Sequence, residues 1–277
     1  MGSVNLSSMA EAVVAFPWLR MGIIFAFLYV ILFFYGLFFS DGLIFPAPSS
    51  PHYEKDGSVH SVHTPSGLEI AYKIWQPSTP SKRVILYSHG NAEDLGSIEP
   101  AILPWVEEGF TVVGYDYPGY GHSSGKPSEQ GCYDAIDAVY AKISEELSIS
   151  NRQLVSWGRS LGTGLSCYLA SKEKLAGVIL ETPYITAFRT VTEIPLVPFD
   201  RFRNIERAPK LKSESLVIHG DEDEIIPFRH GQHLFENLPD PKEFLKIEDG
   251  GHNNLPEKGG EKYRTSILQF LNRVLDS

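Results

Sequence analysis

Cysteine is nearly missing: Cys132 and Cys167 are the only two in 277 residues. That count excludes a disulfide scaffold and a cysteine-rich zinc or iron-sulfur site, leaving at most one bridge. Basic charge is also short. Lys and Arg total 24 against 34 for Asp and Glu, a formal charge of −10, the wrong sign for gripping a nucleic-acid backbone. Nucleic acid is therefore not an expected partner. The chain has no internal repeat, and no low-complexity tract beyond one proline-rich stretch. With 43% hydrophobic and 21% charged residues, disorder and collagen-like architecture are excluded too, which leaves one large globular domain plus an appendage.

Up to Ser40 the charged side chains are Glu11 and Arg20, which cancel, so the whole −10 belongs to the remainder. Met21 to Phe39 is a run of 19 residues without a charge. A helix of that length spans about 28 Å, close to a bilayer core, and satisfies its own backbone there. Residues 1–45 therefore read as an N-terminal segment with a transmembrane helix over about 21–39. A cleaved signal peptide would have a shorter apolar core, a positive start and small residues at the cut. A helix without a polar face also fits poorly as a core helix, because a complete domain would have to wrap it on all sides. Myristoylation after Met1-Gly2 would want Ser or Thr where Leu6 stands. Arg20 precedes the run and the next basic residue is Lys55, which puts the amino end in the cytoplasm and the main domain on the extracytoplasmic side. So acidic a domain is repelled by anionic lipid surfaces, so no second, peripheral contact with the membrane is expected. Residues 46–56, with Pro46, Pro48 and Pro51, read as a linker, and 57–277 as the domain.

Within 57–277 short β-branched or aromatic runs alternate with amphipathic segments. Strands are expected at about 57–63, 68–75, 84–89, 110–117, 153–159, 177–182, 214–220 and 242–248. Helices are expected at about 94–108, 128–147, 161–172, 228–237 and 258–275. The turn Pro65-Ser66-Gly67 is too short for a crossover, so the first two strands pair antiparallel; the later crossovers suit parallel pairing. The expected fold is α/β, an eight-stranded mostly parallel sheet with an antiparallel start. Between 184 and 210 the alternation lapses around Ile194, Leu196, Val197 and Phe199, and that insertion reads as a small lid or an irregular connection.

Gly158-Arg159-Ser160-Leu161-Gly162 lies directly after an apolar strand and directly before a helix, the setting of a nucleophile elbow. A second match, Gly121-His122-Ser123-Ser124-Gly125, follows the loop Pro118-Gly119-Tyr120-Gly121 and opens no helix, so Ser123 reads as a loop residue. A serine hydroxyl is a weak nucleophile near neutral pH and needs an imidazole to take its proton and an acid to orient that imidazole. His252, in a glycine-rich loop after the last strand, is the candidate base. His230 and His233 read as solvated, since nothing completes a metal-ligand set around them. For the acid, Asp223 is placed to reach back from the turn after 214–220, with Asp221 and Glu181 as rivals. The N–H groups of Leu161 and Asn91 are the candidate oxyanion donors, and His89 reads as a residue shaping its loop. This mechanism calls for no metal and no organic cofactor.

Five motifs together resemble the α/β-hydrolase superfamily over about residues 57–275: His89-Gly90-Asn91-Ala92-Glu93-Asp94, Tyr115-Asp116-Tyr117-Pro118-Gly119-Tyr120-Gly121-His122-Ser123, Gly158 to Gly164, His219-Gly220-Asp221-Glu222-Asp223, and Gly251-His252-Asn253. Within it the chain is similar to the branch of small α/β-hydrolase-domain proteins that includes membrane-bound lysophospholipases and protein depalmitoylases. The resemblance implies an acid three residues after the His-Gly pair, favouring Asp223, and a structural role for Ser123. It also implies a serine hydrolase acting on carboxylic esters, thioesters or related acyl bonds of a small-molecule or lipid substrate, sometimes on a single-span anchor. Two other functions compete: a non-catalytic hydrolase fold that binds a ligand or partner, and a serine aminopeptidase-type amide hydrolase.

Overall fold

Eight runs rich in β-branched and aromatic residues form strands in a computed structural model of the chain, which describes residues 17–192 and 195–276. These are β1 (Val59–His63), β2 (Glu69–Trp75), β3 (Val84–Ser88), β4 (Thr111–Tyr115), β5 (Leu154–Arg159), β6 (Gly177–Glu181), β7 (Glu214–Gly220) and β8 (Lys242–Ile247). They make one sheet in the order β1-β2-β4-β3-β5-β6-β7-β8. The β1/β2 and β2/β4 pairs are antiparallel and every other pair is parallel. This is the α/β-hydrolase arrangement expected from the sequence.

Among the described residues the helices of eight residues or more are α1 (Pro17–Phe38), α2 (Leu95–Glu107), α3 (Glu129–Glu146), α4 (Gly162–Lys172), α5 (Arg229–Glu236) and α6 (Leu255–Leu275). Side-chain caps set two of the starts: Asp94 accepts from the Ser97 N–H at 3.0 Å and Ser128 from the Gly131 N–H at 3.1 Å. Within 57–277 three ends differ from expectation by two residues or more, one being β1, which starts at Val59 rather than 57. Helix α6 starts at Leu255 rather than 258, with Pro256 in its first turn, where the missing N–H costs no bond, and it breaks at Gly260. Strand β4 stops at Tyr115 rather than 117: the Asp116 N–H still meets the Ala71 carbonyl in register, and the chain then turns away at Tyr117-Pro118.

The chain divides into two compact units, one running through Leu43 and the other from Ile44 onward. In the first, α1 takes in Pro17 and Arg20 ahead of the apolar run, and none of its residues is buried. In the second, the period of two along each strand sends alternate side chains to two cores. Leu86, Val113, Tyr115, Leu180 and Val217 face α3 and α4. Ile85, Tyr87, Val155, Trp157, Ile179 and Ile218 face α2 and α6. Each such aliphatic or aromatic side chain, fully buried, contributes about 1.5–3 kcal/mol. Cys132 and Cys167 lie in the first core and form no disulfide; burial pushes the Cys167 thiol up to about 12.

Residues 46–56 are anchored at both ends. Phe45 is buried and meets Phe202 edge-on, His52 donates its N–H to Asp94 at 2.8 Å, and the Tyr53 hydroxyl binds Asp116. Among its described residues the 184–210 stretch forms short single-turn helices, Phe188–Thr190, Asn204–Arg207 and Ala208–Lys210. It closes on Asp200, whose carboxylate accepts from the Phe188 N–H at 2.8 Å and the Thr186 hydroxyl at 2.5 Å. Leu196 is exposed, whereas Ile194 lies outside the described residues.

Candidate active site

Parallel pairing brings the carboxyl ends of β3, β5, β6, β7 and β8 to one edge, through the registers Ser88 with Gly158, Arg159 with Glu181, Glu181 with Ile218, and Gly220 with Ile247. Ser160 stands one residue past β5 with φ +51°, a left-handed conformation that costs a non-glycine residue energy. Neighbours hold it there. Its N–H donates to the Glu181 carbonyl at 2.9 Å, and its own carbonyl accepts from the N–H and hydroxyl of Thr163 at 3.0 and 2.7 Å. The turn has room for no more: a Cβ on Gly162 would lie 1.9 Å from the Ser88 carbonyl oxygen.

His252 follows β8 on a loop tied back to its surroundings, its N–H donating to Glu224 at 3.3 Å and the Gly251 N–H to Asn254 at 2.7 Å. Its ring reaches both ways. The Ser160 hydroxyl donates to Nε2 at 3.0 Å, and Nδ1–H donates to Asp223 Oδ2 at 2.8 Å. All three residues are buried. Asp223 Oδ1 accepts from the N–H groups of Ile225 and Ile226 at 2.9 and 2.7 Å, and Oδ2 lies 3.3 Å from His219 Nε2. Burial by itself would raise the Asp223 carboxyl, but the hydrogen bonds from His219, His252 and Ile226 outweigh it and hold the group well below the ordinary carboxylate range. An anionic acid, an oriented imidazole and a strained hydroxyl can together move a proton off the hydroxyl.

The other candidates are placed elsewhere. Asp221 pairs with Lys246 at 2.8 Å. Glu181 is buried on the other face, where it accepts the Trp157 indole N–H at 2.9 Å, and burial pushes its carboxyl up. Ser123 Oγ accepts from the Ala71 N–H and donates to the Asp116 carbonyl, both at 2.9 Å, joining its loop to β2. Leu161 lies at the start of α4, next to Ser160. Asn91 lies on the loop after β3, which is clamped where Tyr120 donates to the Asn91 carbonyl at 2.8 Å and Tyr117 to that of His89 at 2.5 Å. His89 stacks on Tyr117 within this loop. One expectation is corrected: His233 is exposed, but His230 is buried, because α5 turns it inward with Leu234 four residues on. Among the described residues no group of three or more His, Cys, Asp or Glu side chains is set to hold a metal ion.

Known proteins share this fold. The family model for the alpha/beta hydrolase fold matches residues 83–204. Alpha/beta hydrolase domain-containing protein 17B of Xenopus tropicalis is 36% identical over 226 residues, 80% of this chain and 78% of its own. The Homo sapiens protein of the same name is 35% identical over the same shares. The chain belongs to the α/β-hydrolase family. A solved esterase of Pyrococcus furiosus superposes with a TM-score of 0.66 at 17% identity, covering 78% of this chain and 90% of its own.

In this α/β-hydrolase the residue between Gly158 and the serine has a job that sequence reading missed. Arg159 binds the Glu93 carboxylate through Nη1 and donates through Nη2 to Asn253 Oδ1 at 2.7 Å and the His252 carbonyl at 3.4 Å. Glu93 in turn accepts the Gly90 N–H at 2.6 Å. One guanidinium thus joins the β3 loop, the serine turn and the histidine loop. The contacts span 66 and 94 residues, so no local spacing announces them. Arg159→Leu is expected to cost about 2–4 kcal/mol in urea unfolding, because it strands a half-buried carboxylate. Arg159→Leu/Glu93→Gln should recover part of that loss; strictly additive effects would show that the pair is not coupled.

Proposed function

We propose that this protein is a serine hydrolase that cleaves carboxylic ester, thioester or related acyl bonds through an acyl-enzyme. The observation that carries the proposal is the chain of two hydrogen bonds from the Ser160 hydroxyl through His252 to Asp223, 3.0 and 2.8 Å long, on the carboxyl edge of the sheet. Ser160 Oγ attacks the acyl carbon as His252 Nε2 takes its proton. The N–H groups of Leu161 and Asn91 receive the oxyanion. The tetrahedral intermediate collapses, the leaving alcohol or thiol takes the proton from His252, and the acyl group stays on Ser160. Water, losing a proton to the same nitrogen, then releases the acid and restores the serine. Asp223 holds the Nδ1–H tautomer throughout.

A fluorophosphonate probe should label the purified protein at Ser160, and p-nitrophenyl butyrate should turn over. Ser160→Ala should abolish the labelling and lower kcat by about 10⁶-fold, as loss of the nucleophile does elsewhere. Labelling of Ser160→Ala equal to wild type would move the nucleophile elsewhere, and a protein with neither labelling nor turnover would be a binding module.

The substrate class we propose is a membrane-borne acyl ester or thioester. Two features support it: the apolar helix Pro17–Phe38, which has the length and composition to cross a bilayer, and similarity to a branch that contains lysophospholipases and depalmitoylases. In this reading α1 is a single-pass anchor, the 184–210 stretch is a lid, and the hydrolase domain lies on the extracytoplasmic side. Alkaline carbonate should leave the full chain in the membrane pellet and release a chain beginning at Ile44; protease protection of the domain in sealed vesicles reports the side.

A further inference from the structure

We infer that His219 is a positioning residue that holds the Asp223 carboxylate in the orientation from which it serves His252; the inference rests on the Ser160, His252, Asp223 reading above. His219 lies in β7, one residue before its end, and is wholly buried. Its Nε2 is 2.9 Å from the Ile226 carbonyl oxygen and 3.3 Å from Asp223 Oδ2. Both neighbours accept hydrogen bonds, so Nε2 carries the proton and shares it between them. Its other nitrogen, Nδ1, is buried without a hydrogen-bond partner. That nitrogen faces Gly231 of α5, where a Cβ would come within 2.3 Å of it. Helix α5 therefore presents bare backbone to the ring, and a proton on Nδ1 would be buried with no acceptor. The packing admits one tautomer, the one that donates to the acid loop.

Asp223 consequently faces four donors in two pairs. Oδ1 receives the N–H groups of Ile225 and Ile226, while Oδ2 receives His252 Nδ1–H and lies 3.3 Å from His219 Nε2. His219 also grips the carbonyl of Ile226, the same residue whose N–H binds Oδ1, so one ring bears on both the carboxylate and the turn that carries it. Without that ring Oδ2 keeps a single donor, the catalytic imidazole, and only the two backbone bonds to Oδ1 fix the carboxylate's orientation.

Four variants are compared by steady-state hydrolysis of p-nitrophenyl butyrate and by thermal unfolding: His219→Phe, His219→Gln, Gly231→Ala and Ser160→Ala. His219→Phe keeps the shape and removes the donor, and should lose about ten- to a hundredfold in kcat with KM within about twofold, the scale of one hydrogen bond to a charged group. His219→Gln can return an N–H to the acid and should recover most of that loss. Gly231→Ala acts from another helix by pushing the ring aside, and should lower kcat in the same direction even if the phenylalanine variant fails to fold. In wild type the His252 Nδ1–H proton should give a downfield NMR resonance that moves in His219→Gln. Wild-type kcat in all three His219 and Gly231 variants, with Ser160→Ala dead, overturns the inference and leaves the hydrolase reading intact. Equal loss in the phenylalanine and glutamine variants, matched by equal loss of thermal stability, overturns it in favour of packing alone. Full turnover by Ser160→Ala overturns the underlying reading itself.

Discussion

Asp223→Asn is expected to lower kcat by about 10⁴-fold with little change in KM, the loss seen when a triad acid is neutralised in place. The reason is the donor count. Oδ1 faces two backbone N–H groups and Oδ2 faces two imidazoles, so either placement of an amide points its NH2 at donors. The ring of His252 then either turns away or takes the wrong tautomer. Glu181→Gln is the control, because Glu181 sits with Trp157 on the other face of the sheet; its kcat should stay within about threefold of wild type. Steady-state kinetics on the two variants decides the matter. An active Asp223→Asn beside an inactive Glu181→Gln would transfer the orienting role to Glu181.

Gly162→Ala should be the most damaging small substitution for stability. The added Cβ would meet the Ser88 carbonyl oxygen at 1.9 Å and that of His89 at 2.8 Å. Both are backbone atoms at the end of a central strand, so relief requires moving either α4 or the β3 loop. A cost of about 3 kcal/mol or more is expected, or roughly 6–12 °C in Tm for a domain of this size. Turnover should fall as well, since the same loop carries Asn91. Gly57→Ala, where nothing lies within 4 Å of the new Cβ, should change stability by less than about 0.5 kcal/mol. Urea unfolding of the pair makes the comparison, and a Gly162→Ala protein as stable as wild type would mean that the turn is looser than its contacts imply.

Motifs whose residues act on their own backbone were readable. Gly158 to Gly162 announces a tight strand-to-helix turn, because the close approach is between atoms a few residues apart. The alternation of strands and helices was readable for the same reason, as was the antiparallel start, which follows from a turn too short for a crossover. His230 was misjudged because spacing alone does not say which face of a short helix meets the domain. Arg159 and His219 lay inside motifs and still went unread. Glu93 and Asn253 are set beside Arg159 only by the sheet order, while the folding back of the turn and helix after β7 brings Asp223, Ile226 and Gly231 round His219.

By itself the chain determined its class, its strand inventory, an apolar amino-terminal helix and the identity of Ser160, Asp223 and His252 as candidates, since each depends on composition or on backbone demands over short distances. Tertiary structure alone decided that the hydroxyl, ring and carboxylate lie 3.0 and 2.8 Å apart, that Glu181 and Asp221 are spent on other partners, and that a bare glycine faces His219. The physical reason is range. Hydrogen bonds act over about 3 Å, while the groups that make them at this site are separated along the chain by up to 94 residues, a distance that only the closed sheet removes.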